Sequence, residues 1–287
     1  MNHKGVVLAL LPLLVASACN NASRSPVFSE AEVREIMNPD GPLSKPHDEA
    51  EDSFALAPEP VPAAIDELFD DFISVFDQNA ELQRSRVRYP FIIVDETGTD
   101  TVRSAAEWKH HFVFMQQDFS TVLWTSARET LLSDNINVNH AEVQQIYLHS
   151  RRMATLIFDR DSASGRWELT SERHFGFAAT PLASFLDFYA RFATDTLYQR
   201  NHISDPLRFV STDEDEDDPL VGFIDVDQWF EFAPELPRDV LTNIRYGQRY
   251  DHPRRIIMQM RGINNGMEAQ LSFMREGGQW KLIGYEN

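Results

Sequence analysis

Cysteine is nearly absent from this 287-residue chain, in which Cys19 is the only one. A single cysteine cannot form an intramolecular disulfide, so any folded part must be held together by its apolar core. Long apolar runs are also scarce. The run from Gly5 to Ala16 is shorter than the ~20 residues that a transmembrane helix needs, and no later stretch approaches that length. The sequence therefore excludes a disulfide scaffold and predicts no permanent transmembrane helix.

Basic residues are in short supply as well, with 26 Lys and Arg against 45 Asp and Glu, which gives a formal net charge of −19. Such a surface repels phosphate backbones and anionic lipid headgroups, and no basic stripe with interleaved aromatic residues offsets it. We therefore expect no nucleic-acid partner. Acidity alone is typical of a soluble surface, so it favours no particular ligand.

The first eighteen residues are organised like a secretion signal, because Lys4 precedes the apolar run and small residues follow it. The segment Val15–Cys19 resembles the lipobox read by lipoprotein signal peptidase, although the lipobox prefers Leu where this chain has Ala16. The resemblance implies a signal peptide at residues 1–18. It also implies a lipid anchor on Cys19, with palmitate among its acyl chains.

An ordinary signal-peptidase site is the alternative, since Ala16-Ser17-Ala18 also fits the A-x-A pattern. Cleavage there would leave Cys19 as an unmodified thiol. The solitary cysteine favours lipidation, because an exported chain offers nothing to pair with it. Asn20–Ser23 contains no acidic run, which favours an anchor on the periplasmic face of the outer membrane.

Residues 19–62 are rich in proline, acidic and small residues, and they bury too little apolar surface to fold alone. We interpret them as a semi-extended tether between the lipid and the first folded module. Within the tether, Ser29–Glu32 fits a capping box, and Val33, Ile36 and Met37 follow on one helical face. A small docking helix and a chance match both fit that pattern.

The rest of the chain repeats itself. The stripe Phe69, Phe72 and Phe76 recurs 116 residues later as Phe185, Phe188 and Phe192. Order and spacing persist through the later matches, with an insertion in the second copy near an acidic run. These matches are Asp71 with Asp187, Gln83-Arg84 with Gln199-Arg200, Pro90 with Pro206, Trp108 with Trp229, and Gly165–Leu169 with Gly278–Leu282. The sequence therefore predicts a tandem duplication, with modules at 63–176 and 177–287.

Both copies have the same order of predicted elements. A helix with a phenylalanine stripe comes first, and we interpret the stripe as core packing. A proline then ends the helical region, an apolar strand follows, and a second short helix carries Trp108 or Trp229. Alternating segments then predict paired strands, at Gln145–His149, Met153–Phe158 and Trp167–Glu172, and at Ile256–Arg261, Ala269–Arg275 and Trp280–Tyr285. Helices followed by antiparallel strands predict an α+β fold.

A long Phe-striped helix followed by a twisted antiparallel sheet that ends in Gly-x-Trp-x-Leu resembles the nuclear transport factor 2-like, or cystatin-like, cone. The tandem arrangement behind a lipobox is similar to a family of Bacteroidetes envelope lipoproteins of unknown function. The resemblance covers Ala64–Asn287 and implies a cone-like fold and an envelope location, but no activity. The wider superfamily includes isomerases and dehydratases as well as binding modules, and the fold does not choose among them.

No catalytic or metal site stands out in the sequence. Asp71 and Asp187 recur in both copies, but each precedes a stripe phenylalanine by one position and is expected to face solvent. The acidic run Asp213–Asp218 offers oxygen ligands for calcium, but it fails the EF-hand pattern and is interpreted as a solvated loop. His110 and His111 point in different directions on a helix and lack an acidic partner one turn on. We therefore expect no catalytic residue, no metal and no cofactor.

Arg84 and Arg200 are the remaining candidates, because both copies retain them after a glutamine. One interpretation is that they bind the carboxylate of a ligand, or a sugar, through their guanidinium forks. The other is structural, since an arginine near a helix end donates to late carbonyls or pairs with an acidic neighbour such as Glu81. The sequence favours the structural interpretation.

The favoured function is a membrane-anchored periplasmic lipoprotein that acts as a non-enzymatic binding or protein-interaction module, with a small-molecule or envelope-protein partner. An envelope enzyme with a cone-shaped pocket, isomerase-like or hydrolase-like, is the competing class. A structural envelope spacer is the third. Converging acid and base groups in a pocket would indicate an enzyme, whereas an apolar and aromatic lining would indicate binding.

Overall fold

The computed structural model describes residues 65–102, 104–130, 137–211, 219–263 and 265–287. The predictions for the signal segment, for Cys19, for the tether with its short helix and for the acidic run Asp213–Asp218 lie outside these residues. All described residues fall within one compact unit. We refer to residues 65–176 as the first half and to residues 177–287 as the second half. No helix in the described ranges is long and apolar enough to cross a membrane.

The fold consists of a twelve-stranded sheet and a small number of helices. The helices are α1 (Phe69–Gln78), α2 (Ala80–Arg86), α3 (Ala127–Thr130), α4 (Ala183–Phe192), α5 (Thr196–Asn201) and α6 (Val226–Phe232), with a 3₁₀ turn at Phe177–Ala179. The strands are β1 (Val87–Val94), β2 (Thr99–Val102), β3 (Phe119–Trp124), β4 (His140–Tyr147), β5 (Arg152–Arg160), β6 (Trp167–Gly176), β7 (Ile203–Ser211), β8 (Leu220–Ile224), β9 (Val240–Arg245), β10 (Arg255–Gly262), β11 (Glu268–Glu276) and β12 (Gln279–Glu286). This confirms the predicted α+β class.

Helices α1 and α4 bury the two phenylalanine stripes that the sequence assigns to the core. Phe69 of α1 lies 4.9 Å, between ring centroids, from Trp167 on β6. Phe185 of α4 lies 5.3 Å from Trp280 on β12. All six stripe phenylalanines are buried, and so are both tryptophans. The prediction that the stripes pack a core, and that the two tryptophans occupy core positions, is confirmed.

Each striped helix is followed by a short helix that begins at a polar capping residue. The Asn79 side chain accepts hydrogen bonds from the backbone N–H groups of Glu81 and Leu82 at the start of α2. The Asp195 carboxylate accepts one from Tyr198 N at the start of α5. Such caps satisfy donors that a helix start leaves without partners. The caps therefore fix where the chain turns back towards the sheet.

Strands β3 and β9 lie at the centre of the sheet, and each pairs with the other half of the chain. The strand order is β2-β1-β6-β5-β4-β9-β3-β10-β11-β12-β7-β8. Strand β9, from the second half, pairs antiparallel with β4, and β3, from the first half, pairs antiparallel with β10. Between themselves β3 and β9 are parallel and share one register pair, Thr121 with Asn243. The two halves therefore exchange one strand each.

The two halves use opposite faces of this central sheet. On β3, Val122 and Trp124 belong to the core that contains the α1 stripe, whereas Leu123 belongs to the core of the α4 stripe. Successive residues of a strand point to opposite faces. Helices α1 and α4 therefore pack on opposite faces, and the central strands are buried on both.

Side chains hold the two exchanged strands together where the ladder between them is short. The Asn243 Oδ1 atom accepts a hydrogen bond from Leu123 N at 2.9 Å, and its Nδ2 donates to Gln144 Oε1 at 2.8 Å. The Thr121 hydroxyl donates to the Thr242 carbonyl at 2.9 Å. Asn243, Gln144, Thr121 and Thr242 are all buried. These polar side chains supply partners that a regular strand pair would obtain from backbone groups.

The predicted antiparallel pairings are confirmed, but three predictions of local structure are wrong. Strands β4, β5 and β6 pair in sequence, and so do β10, β11 and β12. Trp108 directly follows a turn and lies outside any helix, whereas Trp229 does lie in α6. Pro90 and Pro206 lie inside β1 and β7 and do not separate helix from strand. The register of each strand shifts around its proline, and such an irregularity tolerates the missing N–H.

Candidate functional site

A pocket of about 550 Å³ lies between helix α1, the exchanged strands β3 and β9, and strand β10. Its apolar lining consists of Ile65, Ile73, Val75, Phe114, Ile244 and Ile263, and its polar lining consists of Asp70, Asp71, Ser74, Ser120, Tyr246 and Arg261. We call it the Asp70 pocket. Ligand sites in proteins typically measure about 300–1,000 Å³ and combine an apolar lining with a few polar groups. The strand exchange brings both halves into this site, because α1 precedes residue 176 and β9 and β10 follow it.

Asp70, Tyr246 and Arg261 form a hydrogen-bonded cluster at the pocket. The Tyr246 hydroxyl donates to Asp70 Oδ1. An Arg261 guanidinium nitrogen, Nη1, lies 3.5 Å from Asp70 Oδ2. The Asp70 side chain is half exposed, whereas that of Arg261 is 22% exposed. The carboxylate therefore stands at the mouth, with both of its oxygens engaged by groups from the second half.

Tyr246 stays a neutral phenol at physiological pH. Burial raises its pKa well above the ordinary value, and the negative charge of Asp70 beside it raises the pKa further. The positive charge of Arg261 lowers the pKa of Tyr246, but by less than burial and Asp70 raise it. A general acid or base works best when its pKa lies near the working pH. The Tyr246 hydroxyl is therefore suited to donating a hydrogen bond and poorly suited to transferring a proton.

The charge of the pocket is slightly negative. Asp70 and Asp71 contribute two carboxylates, and Arg261 contributes the only guanidinium among the described lining residues. Asp71 is exposed, as the sequence predicts, and it stands at the rim without an ion-pair partner among the described residues. Asp187, its counterpart in the second half, is also exposed and pairs with Arg151 at 2.6 Å.

The corresponding place in the second half is filled by apolar side chains. Leu186 stands two residues before Phe188 on α4, as Asp70 stands two residues before Phe72 on α1. Ile146 corresponds in the same way to Arg261, because Ile146 lies on β4 beside β9 and Arg261 lies on β10 beside β3. Leu186 and Ile146 are both fully buried in the core around α4. The polar cluster beside α1 therefore has no polar counterpart beside α4.

Arg84 and Arg200, the ligand-binding candidates of the sequence, do not line the Asp70 pocket. Both are exposed. Arg200 pairs with Asp227 of α6. Arg84 makes no hydrogen bond or ion pair with another described residue, so the expected pairing with Glu81 is not seen. The structure does not bring the two arginines together, and their role in ligand binding stays a prediction.

The glutamine before Arg84 is the buried member of that repeated pair. Gln83 is fully buried, and its side chain bonds to Trp108 and to the backbone of Phe76 and His111. Sequence reasoning chose the arginine because of its charge. The burial of the neighbouring glutamine could have been read from its position, since Gln83 lies one helical turn after the cap Asn79 and faces inward with Leu82.

The two histidines next to Trp108 make structural contacts. His110 Nε2 lies 2.7 Å from the Asp77 carbonyl oxygen, and His111 Nε2 lies 3.1 Å from the Gln145 amide nitrogen. Within the described ranges, no three His, Cys, Asp or Glu side chains converge to hold a metal ion.

The family model of a domain of unknown function, DUF4348, matches residues 48–287. This chain belongs to the DUF4348 family. Among solved structures, the DUF4348 chain is similar to the crystal structure of an NTF2-like protein from Bacteroides fragilis NCTC 9343, with 33% sequence identity and a TM-score of 0.72. The match covers 79% of this chain and 98% of that one. The predicted resemblance to the nuclear transport factor 2-like fold is confirmed.

A second match is an NTF2-like protein of unknown function from Silicibacter pomeroyi DSS-3, at 13% identity. It covers 37% of the DUF4348 chain and 90% of its own, with a TM-score of 0.22. The DUF4348 chain matches none of the curated proteins. The comparisons therefore give the family and the fold, and the chemistry of the site has to be argued from its own residues.

Proposed function

We propose that this protein is a lipoprotein anchored to the periplasmic face of the outer membrane and that its folded part is a non-enzymatic binding module. The observation that carries the binding role is the Asp70 pocket, which has an apolar lining, a polar cluster at its mouth and a volume suited to a small molecule. The proposed anchor rests on Cys19 in its lipobox-like segment. The resemblance to Bacteroidetes envelope lipoproteins also supports the proposed location in the cell envelope.

Binding fits the polar cluster better than catalysis does. An enzyme needs an acid or base that is free to exchange a proton with its substrate. Both Asp70 oxygens already contact donors, Tyr246 and Arg261, and the raised pKa of Tyr246 keeps that phenol protonated. The cluster therefore offers a fixed set of hydrogen-bonding groups and no poised proton carrier.

The lining also selects a class of ligand. Two carboxylates against one guanidinium disfavour an anion, and the net charge of the chain disfavours it further. Six apolar side chains line the space behind the mouth. The ligand is therefore a compact apolar molecule with a neutral or cationic polar group directed to Asp70 and Asp71.

The two halves are proposed to be copies of one module, of which one kept an open pocket. The repeated residues of the sequence support the duplication, and so does a strand order that is symmetric about β3 and β9. In the second copy, Leu186 and Ile146 replace the charged pair, which closes the equivalent space. The module thus supplies one Asp70 pocket per chain.

Filling the pocket tests the proposed binding role. Ser74 is half-buried and lines the pocket from α1, so Ser74→Trp places a large ring in the space. We expect at least about tenfold weaker binding of apolar amines and alcohols that raise the melting temperature of the unaltered protein. Matched carboxylates of the same size serve as the anionic series, measured by thermal shift and calorimetry.

The control is Gln78→Trp, at an exposed position of the same helix outside the pocket lining. This variant is expected to bind as the unaltered protein does. Equal affinity in Ser74→Trp, or a preference for the carboxylate series, would contradict the proposed site and ligand class.

The anchor is tested by the mass of the protein extracted from native membranes. We expect a chain that begins at Cys19 and carries acyl groups, because the segment before it resembles a lipobox. Intact-mass spectrometry measures this directly, and Cys19→Ser is the control that blocks lipid attachment. The bare polypeptide mass from residue 19 onward would show the ordinary signal-peptidase cut and a soluble exported protein.

A further inference from the structure

The buried glutamines Gln83 and Gln199 occupy corresponding places in the two halves. Each lies four residues after the residue that caps its short helix, and its backbone N–H donates to the carbonyl of that residue, Asn79 or Asp195. The donor–acceptor distances are 2.9 and 2.8 Å. Both side chains are more than nine-tenths buried. Their surroundings can therefore be compared group by group.

The Gln83 carboxamide is fully paired, and the backbone N–H and C=O of one residue, His111, provide half of the pairing. Gln83 Nε2 donates to the His111 carbonyl at 2.8 Å, and Gln83 Oε1 accepts from His111 N at 3.0 Å. The Phe76 carbonyl and the Trp108 indole N–H complete the set, at 2.8 and 3.2 Å. One residue of the backbone thus docks on the side-chain amide through both its donor and its acceptor.

The Gln199 carboxamide has no such partner. Gln199 is 8% exposed as a residue, and its side chain makes no hydrogen bond to another described residue. The indole N–H of Trp229, which corresponds to Trp108, is buried and has no partner among the described residues. Most polar groups at this depth in proteins are satisfied by protein, water or ligand, and the described residues supply no partner to the Gln199 carboxamide.

Gln199 faces a cavity of about 370 Å³. In the first half, the stretch after Trp108 brings His111 onto the glutamine. In the second half, the stretch after Trp229 lines the cavity and does not close it, with Phe230 and Leu236 on its wall. Phe192 lies on the apolar side, and Glu235 and Arg238 lie at the exposed side. We call this space the Gln199 cavity.

We propose that the Gln199 cavity is a second binding site, which takes a short peptide whose one residue presents both its backbone N–H and its backbone C=O to Gln199. A carboxamide offers two donors and an acceptor, so its N–H can pair with the C=O of such a residue and its oxygen with the N–H. The first half shows this pairing with His111, so the ligand residue would occupy the place that His111 has over Gln83. Phe192 and Leu236 provide apolar contact for the side chain of that residue. The site shares no lining residue with the Asp70 pocket and does not depend on the function proposed for it.

The direct test is nuclear magnetic resonance of the purified protein with N-acetyl-leucine N′-methylamide as the probe. We expect the Gln199 side-chain amide signals to shift on titration. The ester analogue that has an oxygen in place of the leucine N–H, the N-methylamide of O-acetyl-2-hydroxy-4-methylpentanoic acid, is expected to bind at least about tenfold more weakly because it cannot donate to the Gln199 oxygen. Gln199→Leu, which keeps the bulk but removes the carboxamide, is expected to lose the preference for the amide. Equal binding of amide and ester, or an unchanged preference in Gln199→Leu, would overturn the proposal.

Melting temperatures give an independent test that needs no ligand. Gln83→Leu removes the acceptor from His111 N and Trp108 Nε1, so we expect its melting temperature to fall by about 4–10 °C. Gln199→Leu removes no internal hydrogen bond and is expected to melt within about 2 °C of the unaltered protein. A fall in Gln199→Leu as large as in Gln83→Leu would show that the Gln199 amide is paired internally and would refute the site.

Discussion

Replacing Trp167 with alanine is expected to lower the free energy of unfolding by about 3–5 kcal/mol, the range for removing a large aromatic ring from a core. Trp167 is fully buried, and its ring lies 4.9 and 6.3 Å from those of Phe69 and Phe72 on α1. Its indole N–H has no hydrogen-bond partner among the residues that the structure describes. The loss therefore comes from packing alone, because α1 would face a cavity where the ring had been.

Urea denaturation measures this effect, with Phe223→Ala as the matched control. Phe223 is a large aromatic residue of the second half but is 68% exposed, so its removal is expected to cost less than about 0.5 kcal/mol. Trp280→Ala is expected to resemble Trp167→Ala, because Trp280 packs on Phe185 and Phe188 in the same manner. A loss below about 1 kcal/mol in Trp167→Ala would contradict the assignment of this ring to a tightly packed core.

Asn243→Leu is expected to lower the free energy of unfolding by about 2–5 kcal/mol. The change keeps the size of the side chain but leaves Leu123 N and Gln144 Oε1 buried without their partner, and each orphaned group costs about 1–3 kcal/mol. The loss is expected to weaken the junction between the two halves, because Asn243 lies at the one register pair of the exchanged strands.

A double variant separates this hydrogen bond from general damage to the core. Adding Gln144→Leu to Asn243→Leu removes one of the two orphaned groups, so we expect the pair to lose less than the sum of the single variants. Asn201→Leu, at an exposed position, is the control and is expected to change stability by less than about 0.5 kcal/mol. If the losses of the two single variants add up to the loss of the double variant, the Asn243–Gln144 hydrogen bond contributes nothing to stability.

The elements that the sequence predicts well are those with a local pattern. The spacing of Phe69, Phe72 and Phe76 sets one face of a helix, and alternation in β11 and β12 marks strands that pair with their neighbours in the chain. Strands β3 and β9 carry no such pattern because they are buried on both faces. They also contain polar residues, Thr121 and Asn243, and their partner strands lie about ninety residues or more away along the chain. Nothing within a short window of sequence indicates them.

The candidate sites were missed for a related reason. Asp70, Tyr246 and Arg261 are brought together only by the strand exchange, so spacing along the chain gives no signal. Looking for residues retained in both copies also passes over them, because Asp70 corresponds to Leu186 and Arg261 corresponds to Ile146. A comparison that looks for a charged residue where the other copy has an apolar one would have found both.

The strand exchange also sets the order in which this chain can fold as it is made. Ribosomes deliver residues 65–176 first, yet the strand that completes their sheet, β9, comes from residues 240–245. Until then the edge of β4 has no neighbour, and β3 has no β10 to lie against. The wall of the Asp70 pocket that carries Tyr246 and Arg261 is among the last parts to be synthesised. A nascent chain interrupted in its second half would therefore lack a finished first half and would present open strand edges, the feature that promotes pairing between unfinished chains.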